Sequence, residues 1–100
     1  MIVQRLFPEA GQPIELEAAD ARAQLGELYT LAGTNTLRIN LVVSVNGSAA
    51  GADDTSETLT NRADRKILGV IRRGSDVVLV GAASVRAEGY QLPRTAPLAI

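Results

Sequence analysis

The run VVLVGAASVRAEGY, residues 77–90, leaves an aliphatic stretch on Gly81, Ala82, Ala83 and Ser84 before it meets Arg86 and Glu88. Small residues at that point let a backbone come close to something else. If the aliphatics form a strand and Ala82 opens a helix, the first N–H groups of that helix suit a phosphate. Ser84 would add a hydroxyl donor. The same residues serve equally as a tight strand-to-helix turn without a ligand, and they are neither GxGxxG nor a Walker A loop. A second turn signal, Asn46-Gly47, ends the run LRINLVVSV, residues 37–45. It reads first as a structural turn. Ligands of open α/β sheets collect beyond the carboxyl ends of the strands, so both turns could border one rim. Ser56, Thr58 and Thr60 offer hydroxyls, but such residues ahead of a helix usually cap it. Arg62, Arg65, Lys66, Arg72 and Arg73 read as a solvated face, with a single arginine reaching an anionic substrate as the alternative. Asp53-Asp54 alone fall short of a metal site.

Composition narrows the chemistry. The 100 residues contain neither cysteine nor histidine. Disulfides, thiolate or imidazole zinc sites, and Cys–His or Ser–His catalytic pairs are therefore excluded. Acid–base work would fall to Asp, Glu, Lys, Tyr or the ligand itself. A formal net charge of −1 gives no overall pull toward nucleic acid or an anionic membrane. Hydrophobic residues make up 46% of the chain but aromatics only 3%, so the core must be aliphatic. No apolar run is long enough to span a bilayer, and the start MIVQRLF lacks the pattern of a signal peptide. A cytoplasmic protein is the default expectation.

The elements that must position these residues can be read in outline. Pro8, Gly11 and Pro13 predict an irregular lead-in over residues 1–14. Leu16, Ala19, Ala23, Leu25, Leu28 and Leu31 predict a helix over residues 14–31, weakened at Gly26. Residues 37–45 predict a strand covered on both faces. Asn61 predicts a helix N-cap, with Asp64 in the first turn, an apolar face of Ala63, Ile67, Val70 and Ile71, and a stop at Gly74. VVLV predicts a second strand, Ala82–Ala87 a helix, and PLAI a third strand at the end of the chain. The order predicts parallel strands with helical crossovers. The domain division is residues 1–36, an extension with one helix, and 37–100, the N-terminal part of a larger α/β domain.

Taken together, LVVSVNG, SETLTNRADRKI and VVLVGAASVRAEGYQ resemble the pyrimidine reductase domain of riboflavin biosynthesis, over about Leu37 to Leu92. The resemblance implies a dihydrofolate-reductase-like fold, a three-layer α/β sandwich on a mostly parallel sheet. It implies NADPH as cofactor and a phosphoribosylamino-pyrimidine as substrate, reduced from ribosyl to ribityl by hydride transfer, a reaction the 100 residues are not expected to carry out alone. On the cofactor side it places Val42, Thr58, Ser84 and Glu88, with Gly81, Ala82 and Val85 of the turn. On the substrate side it places Asn46, Ser56, Arg72 and Leu92. A homodimer is also implied.

The chain departs from the family pattern at several of these positions. Asn46 stands where aspartate is usual; it keeps the hydrogen-bonding shape but cannot act as an acid. Ser48 stands where lysine or arginine is common, Ser84 replaces threonine, Ala83 replaces a frequent glycine, and Thr58 replaces an aromatic. Two alternatives stay open: a related reductase with a pterin-type substrate, or a catalytically silent binding or assembly domain of the same fold.

Overall fold

The computed structural model describes residues 1–55, 57–89 and 95–100. The chain opens with a small antiparallel pair, β1 (Ile2–Val3) and β2 (Ile14–Glu15), with Ile2 opposite Glu15 and Val3 opposite Ile14. The Met1 amino group donates to Glu15 Oε1 at 2.6 Å, and that contact is the main reason the Glu15 carboxyl sits below its ordinary range. The extended, irregular lead-in expected for residues 1–14 is met over residues 4–13, while Ile2, Val3 and Ile14 are drawn into the short antiparallel pair. The helix expected over residues 14–31 is also shorter. Ile14 and Glu15 are drawn into the sheet by Ile2 and Val3, turns at Ala18 and Ala21 follow, and helix α1 spans only Ala21–Leu28. Local apolar spacing gave way to a pairing partner that lies distant in sequence.

Helix α2 (Arg62–Arg73) forms as its sequence dictates. The Asn61 side chain accepts the Asp64 N–H at 2.9 Å, satisfying one orphan donor of the first turn. Asp64 at this end, and Arg72 and Arg73 at the other, complement the helix dipole. Gly74 stops the helix, its N–H bonding to the Val70 carbonyl at 3.2 Å. Next come β3 (Val78–Leu79), α3 (Ala82–Glu88) and β4 (Leu98–Ala99). β3 and β4 are parallel, with Val78 opposite Leu98 and Leu79 opposite Ala99, so α3 lies in the connection of a β–α–β unit. The described residues form a small mixed helix and strand structure with two short sheets.

The main core is built by Ile14, Leu16, Ala21, Leu25 and Ala63. Val3, Ala18, Tyr29, Ile67 and Val70 pack around it. Leu16 and Leu25 are 2% and 1% exposed. Burying each is worth about 1.5–3 kcal/mol. This cluster fastens α1 to the apolar face of α2.

The strand expected over residues 37–45 is corrected. Among the described residues it has no ladder partner, and Leu37, Ile39, Leu41, Val43 and Val45 are all exposed. Those five alternate along the segment and so share one side of an extended chain. Near its start the segment is tied to the end of α1: the Arg38 guanidinium donates to the Tyr29 carbonyl and lies 5.4 Å from the centre of the Tyr29 ring. The Cα radius of gyration is 14.4 Å. A compact chain of this length would have about 13 Å.

Candidate functional site

Valine and leucine in β3 deliver the chain to Gly81, which caps α3 in an extended conformation (φ −72°, ψ 145°). The Val85 N–H bonds back to the Gly81 carbonyl at 3.1 Å, closing the first turn. The N–H groups of Ala82, Ala83 and Ser84 precede that bond and have no carbonyl a turn behind them within the helix. All three residues are exposed, and Val85 is half-buried. A Cβ built on Gly81 would meet nothing within 4 Å, so the surface there is open to an approaching group. Ser84 and the half-buried Glu88 stand four residues apart, one turn along the same face of α3. Gly89 ends the helix in the left-handed region at φ +58°. The strand-to-helix turn expected from the sequence is therefore present, with its small residues at the surface.

Around Asn46 the chain makes a compact turn. The Gly47 N–H bonds to the Ser44 carbonyl at 2.8 Å, and the Ser44 N–H to the Ser48 carbonyl at 2.9 Å. Gly47 takes φ +87°, a conformation in which a side chain would be strained. The connection thus has three residues, Val45 to Gly47, with glycine in the left-handed position. The Ser44 hydroxyl donates to Asn46 Oδ1 and accepts the Ser48 N–H at 3.1 Å. Asn46 is exposed but its amide oxygen is already engaged.

Thr58 belongs to a second hydroxyl-rich turn. Asp53 accepts from the Thr55 N–H at 3.1 Å, the Thr55 hydroxyl at 2.9 Å and the Thr58 hydroxyl at 3.4 Å. The Thr55 hydroxyl is the largest cause holding the Asp53 carboxyl below its ordinary range. Gly51 lies under Thr58: a Cβ there would come within 2.8 Å of the Thr58 Cβ. Val42 is half-buried in the unpaired segment, and Arg72 is half-buried near the end of α2. Ser56 and Leu92 lie outside the described residues. Backbone pairing between residues 37–45 and β3, which would set the Asn46 and Gly81 turns on a common rim, is not made among the described residues.

One feature of the surface goes beyond these positions. Two depressions are lined by cationic side chains of α1 and α2, and no residue assigned from the sequence to cofactor or substrate lines either of them. The signal in the sequence was the spacing of Arg62, Lys66, Gly69 and Arg73, which share one helical face. Its counterpart, Arg22, comes from a different helix and could not be placed by spacing alone.

No curated protein and no solved structure matches the chain. A family profile does match, that of the RibD C-terminal domain, over residues 35–98. The match takes in the Asn46 turn, the Asp53 turn, all of α2, β3 and α3, and the first residue of β4. It begins after α1, so the hairpin and first helix lie outside it. Across well over half its length, then, the chain carries the sequence pattern of a reductase-type domain of riboflavin biosynthesis, and it belongs to the RibD C-terminal domain family.

Proposed function

We propose that the chain serves an NADPH-dependent reductase of riboflavin biosynthesis, reducing the ribosyl group of a phosphoribosylamino-pyrimidine to ribityl. The observation that carries this reading is the Gly81 turn within the family match: a strand, an exposed glycine with open space above it, and the free first turn of a helix. Those features fit an anionic dinucleotide, because N–H groups and small residues admit phosphate oxygens closely. Ser84 would donate its hydroxyl to a phosphate. Glu88, one turn on, would accept from a ribose hydroxyl, and Val42 and Thr58 would complete the cofactor side. Bound there, NADPH would supply the hydride, and the residues of the cofactor and substrate sides would hold the sugar carbon in place for it. Arg72 would meet the negative charge of the substrate with its planar fork, alongside Ser56 and Leu92.

The fold we propose is dihydrofolate-reductase-like, a three-layer α/β sandwich on a mostly parallel sheet. A homodimer is part of the same proposal. Asn46 favours a second reading. Its amide cannot release a proton, and its oxygen is held by Ser44, so the substrate would be a different one, such as a pterin, or turnover would be lost while binding persists.

The test is titration of the full chain with NADPH, read by nicotinamide fluorescence. The chain has no tryptophan to interfere. Saturable binding weakened by Ser84→Ala is expected. Absence of binding at millimolar cofactor would sink the reading. Turnover of the phosphoribosylamino-pyrimidine against dihydrofolate separates the two substrates, and Asn46→Asp separates a weakened enzyme from a silent domain.

A further inference from the structure

We propose that the groove between α1 and α2 binds the phosphate or diphosphate group of a small molecule. On α2, Arg62, Arg65, Lys66, Gly69 and Arg73 fall within an arc of about 100° at 3.6 residues per turn. That arc lies beside the apolar face which packs on the core, so burying α2 against α1 brings the basic stripe up to Arg22. The smaller depression, about 120 Å³, is lined by Arg22, Arg65, Lys66, Gly69, Val70 and Arg73. It holds four cations and no carboxylate. A single water needs only about 10–15 Å³, so a phosphate has room. The adjoining depression, about 330 Å³, shares Arg22, Arg65 and Lys66 and adds Arg62 and Glu17. It gives space for the rest of a phosphorylated molecule.

Internal partners neutralise only part of this charge. Arg65 pairs with Glu57 at 2.8 Å, and Arg62 lies 3.6 Å from Glu17. Lys66 donates to the Leu16 carbonyl, which fixes its ammonium at the groove without cancelling it. Among the described residues, Arg22 and Arg73 make no hydrogen bond or ion pair. Like charges gathered from two helices repel, and a multivalent anion relieves that repulsion. Arginine forks match phosphate oxygens in pairs. Gly69 leaves the floor bare, since a Cβ there would meet nothing within 4 Å. Arg72, placed toward substrate by the family resemblance, does not line the groove. Arg22 lies outside the matched residues 35–98, so the site stands independently of the reductase reading.

The experiment titrates the full chain with inorganic pyrophosphate at low salt, by calorimetry, with ADP as a second probe. Saturable binding is expected, weakened about tenfold or more by Arg22→Ala or Arg73→Ala, as loss of a charge-assisted hydrogen bond predicts. Gly69→Glu sets a carboxylate on the floor and favours the helix over glycine. It should abolish binding while the chain stays folded by circular dichroism. Tighter binding of ADP would identify a nucleotide as the source of the phosphate; equal binding would identify the free anion. The proposal is overturned if the folded wild type shows no saturable binding, or if Gly69→Glu binds as well as wild type. It is also overturned if Arg5→Ala, outside the groove, weakens binding as much as Arg22→Ala.

Discussion

Leu25 is the residue on which the joining of α1 to α2 most depends. It is 1% exposed and packs in the cluster with Ile14, Leu16, Ala21 and Ala63. Leu25→Ala removes three carbon atoms from that cluster. Lost transfer and the residual cavity together cost about 2–5 kcal/mol in buried sites. A domain of this size has a total stability of about 5–15 kcal/mol, so the change is a large fraction of it. Alanine is the better helix former, so α1 itself is not penalised by the substitution. The expected result is a urea midpoint lowered in proportion, followed by far-UV circular dichroism. Hydrogen exchange adds the sharper readout. If one core holds both helices, amides of α2 must lose protection together with those of α1. A loss under about 0.5 kcal/mol, the range of ordinary surface substitutions, would refute the reasoning. So would α2 amides that exchange as in wild type while α1 opens.

Other perturbations follow from single contacts. Asn61→Ala removes the cap that accepts the Asp64 N–H and should cost about 1 kcal/mol in thermal or chemical unfolding, while Asn61→Asp should keep most of the stability. Asp53 has a depressed carboxyl, so its contribution is full above the unfolded value and is lost as pH falls through the folded one. Carbon NMR should therefore show Asp53 titrating below a reference aspartate, with Thr55→Ala moving it upward; an unmoved titration would count against the Thr55 bonds. Gly89→Ala forces a side chain into φ +58° and should destabilise by about 1–2 kcal/mol, visible as a lower melting temperature.

Much of the second half was legible because its signals are local. Asn61, the spacing of Ala63, Ile67, Val70 and Ile71, and Gly74 act within one helix, and α2 appears between those bounds. The same holds for Gly81 ahead of α3. The misses have a common cause. Ile14 and Glu15 carry helical spacing toward Leu28, yet they pair with Ile2 and Val3 across the chain. Residues 37–45 carry the β-branched composition of a buried strand, but a strand exists only when a second backbone meets it. The Asn46 turn was legible as a turn, while its three-residue form depended on the bond from Ser44 to Ser48. Of the candidate site, the Gly81 turn could be read in advance; the cationic groove could not, because Arg22 reaches it through packing.

The same dependence on packing bears on function. α2 turns three sides to different tasks. Ala63, Ile67 and Val70 face the core, the arc from Arg62 to Arg73 borders the groove, and Arg72 lies on the far flank of that arc. A rotation of α2 that exposed its basic stripe to a different neighbour would move Arg72 with it. What fixes the rotation is the apolar face, and most of its buried partners, Ile14, Leu16, Ala21 and Leu25, come from residues outside the family match. The hairpin and α1 are therefore part of what orients a helix within the matched region. Substituting Leu25 should alter any ligand response that depends on Arg72, even though Leu25 lines neither depression. Substituting Leu37 or Val45, exposed and outside the cluster, should leave the orientation of α2 unchanged.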